Sequence, residues 1–367
     1  MKNIPIAKSF FNANEEKLVS GVMRSGWIAQ GERVEGFERK VAAYTGAKYA
    51  VATSSGTTAL HLALLVSGVK PGDEVIIPSF SFIATANAVA YSGARPVFID
   101  IDLATYNIDA DKIESFMKRS GGRVKAIMPV HQFGLPCDID AISGIARKYG
   151  LKLIEDAACA LGSLYQGRRV GKDSEIACFS FHPRKIITTG EGGMLLTNNK
   201  SSAEKANALR NHGLCAPAED YKILGYNYRL TDLQAAVGIA QMSILPAVLK
   251  ARRHQARRYD EAFKKYDHIH TPFIPSYAVP NYQSYVIRID KMSARARDGI
   301  IAALAKKGIC ARRGNTAIHM QSLYRKSGLR LPNTEEAAAG TIALPIYYKM
   351  TEREQDIVIG SLLSIMK

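Results

Sequence analysis

The 367-residue sequence predicts an α/β protein with a large, mainly parallel seven-stranded sheet followed by a smaller α+β domain. Three observations carry that expectation. Seven short runs rich in Val, Ile and Phe recur through the first two-thirds of the chain, each bounded by turn residues. Helical patterns lie between several of them, which implies parallel strands covered on both faces. Near Pro246 the texture changes to a long basic segment and then a proline-rich one, the mark of a second domain.

Taken in order, the strands are YAVAT (49–53), EVIIPS (74–79), PVFID (96–100), KAIMPV (125–130), KLIED (152–156), ACFSF (177–181) and GMLLTN (193–198). The pattern TTALHLALLVSG follows the first strand, and IDAISGIARKYG closes on Gly150, a residue suited to a helix C-cap. These place residues 1–245 in the large domain. Residues 246–367 form the small one: a basic helix over roughly 246–266, the stretch TPFIPSYAVPN, the strand SYVIRI, and helices from RDGIIAALAKKG and EREQDIVIGSLLSIM. Ligands of such sheets gather at the carboxyl ends of the strands.

Composition narrows the function classes. At 47% apolar and 22% charged, the chain has the balance of an ordinary globular protein. No stretch reaches the roughly 20 uninterrupted apolar residues of a membrane helix, and the N-terminus lacks a secretory signal. Five scattered cysteines without a CxxC pair argue against a disulfide framework or a metal site, and fit a reducing cytoplasm. The net charge of +16 is spread along the chain, with short clusters such as Arg252-Arg253 and Arg257-Arg258. Without a recognition motif, that favours a small anionic substrate over nucleic acid.

Three strand ends carry chemistry. Lys185 follows the strand ACFSF in FSFHPRKIITTGEGG, where a desolvated lysine makes an imine-forming nucleophile; by itself it reads first as a surface lysine in a loop. Asp156 ends KLIED, where a carboxylate can hold a pyridine nitrogen protonated or can cap a following helix. The loop Ser54-Ser55-Gly56-Thr57-Thr58 runs from YAVAT straight into a helix, giving either a phosphate cradle or plain capping. It is neither a Walker A loop nor a GxGxxG fingerprint, which sets aside a nicotinamide dehydrogenase. Phosphate cradle, ring-nitrogen carboxylate and imine lysine together describe one ligand, pyridoxal 5′-phosphate.

The sequence resembles the DegT/DnrJ/EryC1/StrS sugar aminotransferases, which are fold-type I pyridoxal-phosphate enzymes. Eight blocks follow the family order: SGWIAQGERVEGFERKVAAYTGAKYAVATSSGTTALHLAL, PSFSFIATANAVAYSGARPVFIDID, TYNID, PVHQFGLPCDIDAI, EDAACALG, FSFHPRKIITTGEGGML, NYRLTDLQAAVG and IHMQSLY. The resemblance implies that Lys185 forms the Schiff base and Asp156 partners the pyridine nitrogen. It places Gly56, Thr57 and Ser180 at the phosphate and Phe82 against the cofactor ring, although Phe82 also reads as a core aromatic. Asn227, in GYNYRLTD, matches a residue that reaches the phosphate of a neighbouring subunit, so a homodimer with shared sites is implied. Cys159 stands where the family commonly has Gln or His, and is a cofactor neighbour with weak hydrogen-bonding capacity. His131 and His319 fall near the expected substrate cleft, and each reads equally as a structural histidine.

The implied reaction moves an amino group, most often from glutamate, to a keto sugar, typically a nucleotide-linked 4-keto-6-deoxy sugar. The blocks FIATANAVAYSGA, TYNID and HPRKIITTGEGG are most similar to perosamine-synthase-type members, whose substrate is a GDP-linked 4-keto-6-deoxymannose. Two alternatives stand beside this: a sugar dehydratase on the same fold, which retention of Lys185 disfavours, and a non-catalytic regulator.

Overall fold

The computed structural model describes residues 3–119, 122–215, 220–325 and 328–366. Among the described residues, its central sheet contains the seven expected runs: β1 Tyr49–Thr53, β2 Glu74–Pro78, β3 Arg95–Ile99, β4 Val124–Ile127, β5 Lys152–Asp156, β6 Ile176–Ser180 and β7 Gly193–Thr197. The spatial order is β1-β7-β6-β5-β4-β2-β3. Neighbours are parallel except β7, which runs antiparallel to both β1 and β6. That reversal matters for the site. It sets Gly193 beside both Thr53 and Ser180, while Asp156 pairs with Cys178 on β6. Four strand ends thus converge on one edge.

Both faces of the sheet are buried. Helices Gly56–Val66 and Ala84–Tyr91 contribute Leu60, Leu62, Ala86 and Val89 to one core, and Glu32–Thr45 contributes Val34, Phe37 and Val41 to another. Gly150 adopts the left-handed conformation expected of it, φ 65°, at the end of Ile139–Tyr149.

A second body is built on an antiparallel sheet of β8 Ile269–His270, β9 Tyr285–Ile289, β10 Arg312–Arg313 and β11 Thr341–Leu344, in the order β8-β9-β11-β10. Two features differ from a division at residues 245/246. One helix runs unbroken from Asp232 to Phe263 through Pro246. Its Leu245, Val248 and Leu249 pack into the large core, and its Ala256, Tyr259 and Phe263 into the small one. The N-terminal segment crosses over as well: the Ile4 N–H donates to Gly308 O at 2.8 Å, and Ile4 joins the small core. A change of composition marks a change of packing partner here, not a break in the helix.

Asp232–Phe263 is long and apolar enough to cross a membrane by composition, yet 56% of that apolar stretch is buried inside the fold. Its basic half is largely engaged internally. Buried Arg252 donates to the Tyr282 and Gln283 carbonyls, Arg253 donates to Pro280 and Gly162, and Arg258 pairs with Glu352 and Asp356.

Candidate active site

The floor of the site is the carboxyl end of β5. Asp156 is 4% exposed. Its Oδ2 accepts from the Thr85 hydroxyl at 2.8 Å and its Oδ1 from the Ala158 N–H at 3.2 Å. No helix follows, since residues 157–163 are turns, so the capping role does not apply. Burial pushes the Asp156 carboxyl above the ordinary carboxylate range. The Thr85 hydroxyl, the Ala158 N–H, the Lys185 amine and His131 pull the other way and lose to burial.

Lys185 reaches into this floor from the turn after β6. Its backbone N–H donates to His182 O at 2.8 Å, and its Nζ donates to Cys159 Sγ at 3.1 Å. The lysine is half-buried and is not a surface residue. Cys159 is held in turn, because its carbonyl accepts from Asn281 Nδ2 at 2.8 Å.

The loop after β1 serves as cap and cradle at once. Ser55 is the N-cap of Gly56–Val66: its Oγ accepts from the Thr58 N–H at 3.2 Å, and Thr58 Oγ1 accepts from the Ser55 N–H at 3.0 Å. That pair leaves the Gly56 and Thr57 N–H groups, the first two of the helix, for an acceptor outside the fold. The cradle requires two glycines. A Cβ on Gly56 would lie 2.8 Å from Ser180 Cβ, and one on Gly193 would lie 2.2 Å from Ser55 O. Gly56 is therefore set directly against Ser180, with Thr57 next to it on the helix.

Phe82 and Asn227 are both exposed. Phe82 is 69% exposed, which removes the core-aromatic reading. Asn227 sits between Tyr226 and Tyr228, both of which pack on His61 of the cradle helix. The Tyr228 carbonyl also accepts the Ser54 N–H at 2.9 Å. In extended backbone, neighbours point to opposite sides. Asn227 is exposed and faces away from its own cradle.

The two histidines named as candidate substrate contacts are both buried and hydrogen-bonded within the chain. His131 is fully buried: the Cys137 N–H donates to its Nδ1 at 3.0 Å, which leaves its Nε2 to donate to Glu155 at 2.9 Å. His319 is 3% exposed, with its Nδ1 2.7 Å from Ser79 Oγ and its Nε2 3.5 Å from Glu335. It pins the small body to the end of β2. Thr85 and Asn281 were missed. Ser81 and Thr85, four residues apart and 2.9 Å between hydroxyls, were the available signal for the first, and Asn281 lay in a proline-rich stretch with none.

A profile of the DegT/DnrJ/EryC1/StrS aminotransferase family matches residues 11–363. The chain belongs to that family. A GDP-perosamine synthase of Caulobacter vibrioides is 38% identical, with 100% of this chain and 99% of the relative covered. The aminotransferase TlmJ of Streptoalloteichus hindustanus superposes with a TM-score of 0.93 at 33% identity, over 100% of this chain and 99% of that one. A Streptococcus pneumoniae protein named as a sugar aminotransferase, solved in PLP and PMP forms, gives 0.93 at 28% identity, covering 99% of this chain and at least 98% of its own. This family member is a pyridoxal-phosphate-dependent aminotransferase with the fold of the type I enzymes. Its residues fit the cofactor: a glycine-lined cradle with outward N–H groups, and a buried carboxylate facing a lysine amine.

Proposed function

We propose that the protein transfers an amino group from an amino acid, glutamate foremost, to a nucleotide-linked 4-keto-6-deoxy sugar, with a GDP-linked 4-keto-6-deoxymannose as the first acceptor to test. The observation that carries the reading is the convergence of Lys185, Asp156 and the Gly56–Thr57 N–H groups on one sheet edge. The full-length similarity to a GDP-perosamine synthase supports the sugar.

When bound, pyridoxal phosphate supplies an aldehyde that takes up the amino group and a ring that draws electrons from the reacting carbon. The Gly56 and Thr57 N–H groups, with the Ser180 hydroxyl, hold its phosphate at the helix N-terminus. Asp156 holds a proton on the ring nitrogen, and the raised basicity that burial gives its carboxylate suits that task. Lys185 Nζ would hold the aldehyde carbon and, as a free amine, would carry the proton that the transfer requires. Phe82 would lie against the ring. Cys159 Sγ steadies the amine from 3.1 Å.

The working unit in this reading is a homodimer with shared sites. Asn227 faces outward toward a partner, and Leu224 and Leu323 are 90% and 72% exposed, an unfavourable arrangement for a lone chain. Five free cysteines support a cytoplasmic setting. The test is to convert the enzyme to its pyridoxamine form with glutamate and add a panel of nucleotide-linked keto sugars. Loss of the pyridoxamine absorbance with the GDP-linked sugar is expected. Retention with every nucleotide sugar contradicts the reading.

A further inference from the structure

We infer that the seam between Arg184 and Arg312 is an oxyanion subsite that receives a carboxylate or a diphosphate of a substrate. A cavity of about 310 Å³ lies here, walled by the N-terminal segment, by Pro183 and Arg184, and by Cys310 and Arg312. It borders the cavity that Lys185 lines, sharing Ala7, Ser9 and Pro183 with it. The inference rests on the transamination reading above, in which both substrates carry an oxyanion.

The walls are fixed by hydrogen bonds. The Cys310 N–H donates to Ile4 O at 2.9 Å, and Ser9 Oγ donates to Pro183 O at 3.1 Å. The Arg184 carbonyl accepts from Gln283 Nε2 at 3.0 Å, and its N–H donates to His182 Nδ1 at 3.2 Å. The backbone that carries Arg184 is thus set before any ligand arrives, which lowers the ordering cost of binding.

The charge pattern is what singles the seam out. Arg313, next on the same strand, pairs with Asp298; Arg288 pairs with Asp290 and Glu336; Arg258 pairs with Glu352 and Asp356. Among the described residues, neither the Arg184 nor the Arg312 guanidinium has an acidic partner, and no acid lines the cavity. Burial, and then the nearby Arg312 charge, hold the Arg184 guanidinium below its ordinary range. Two guanidinium groups that face a cleft without a counter-charge make a receptor for a ligand that accepts forked hydrogen bonds.

The test titrates the holoenzyme, whose phosphate cradle is then filled, with two probes by calorimetry: glutarate for a carboxylate and inorganic pyrophosphate for a diphosphate. The parent is expected to bind at least one, and Arg184→Gln and Arg312→Gln are each expected to weaken it about ten-fold or more through loss of a charge-assisted contact. Glutarate as the sensitive probe assigns the subsite to the amino donor, and pyrophosphate to the nucleotide sugar. Failure of the parent to bind either, or equal binding by parent and both variants, overturns the subsite. The sugar panel judges the transamination reading separately, because it follows the pyridoxamine absorbance of the parent alone.

Discussion

The floor of the site and its rim are built on different terms. On the floor, Asp156 is 4% exposed, both its oxygens are hydrogen-bonded within the chain, and the lysine amine opposite is held on a thiol. At the rim, Phe82 is 69% exposed and Asn227 faces solvent. The floor is preorganised by its own fold, at the cost of a buried carboxylate whose ionisation the burial disfavours. The rim carries side chains left open to solvent. The proposed chemistry draws on the first region, and the proposed shared site on the second.

The sharpest way to break that division is to change the floor and look for survival of turnover. Lys185→Ala is expected to lower kcat by roughly a thousand-fold or more, the scale of losing a nucleophile and proton carrier together; single-turnover absorbance measures it. Asp156→Asn should retain cofactor yet lose roughly a hundred-fold in rate, as for removal of one preorganised electrostatic partner. Near-parent activity in that variant would move the electron-withdrawing role elsewhere. Gly56→Ala probes the border between the regions. Its methyl would meet Ser180 Cβ at 2.8 Å, so cofactor retention should fall several-fold, by about 1–2 kcal/mol of overpacking. Dialysis followed by cofactor absorbance reports that loss.

The smallest effect concerns the support of the rim. His61 Nδ1 lies 3.1 Å from the Tyr228 hydroxyl, and the ring is surrounded by Tyr91, Tyr226 and Tyr228. Burial holds His61 below the ordinary imidazole range. The folded state therefore favours the neutral ring. The stability this contributes is complete above about pH 6.5 and is lost as pH falls through the lowered value. Thermal midpoints between neutral pH and pH 5 should fall less steeply in His61→Phe than in the parent. Equal slopes would remove His61 as a source of acid sensitivity.

Much of the floor was legible in the sequence because period-2 apolar runs end in the residues that matter. KLIED ends in Asp156, and ACFSF, read to Phe181, overran its observed end at Ser180 by one residue, so locating the strands located the edge. The helix start at Ser55 was legible too, but its double use was not, because choosing which N–H groups remain free requires the Ser55–Thr58 bonds themselves. Thr85 and Asn281 act through contacts 71 and 122 residues distant in sequence, which periodicity does not encode. His131 and His319 are the complementary case. Their blocks belong to the site region, yet both are buried: His131 has its ring nitrogens engaged by the Cys137 N–H and Glu155, and His319 has its Nδ1 on Ser79 Oγ. The continuity of Asp232–Phe263 through Pro246 escaped for a related reason, since the composition of a helix changes with the core it faces.

The central claim is that Lys185, and no other lysine, anchors the cofactor against Asp156. Borohydride reduction of the holoenzyme, followed by proteolysis and mass mapping of the fixed cofactor, measures this directly. A single modified peptide containing Lys185, absent from Lys185→Ala, is the expected result; modification of a different lysine, or of none, would contradict it.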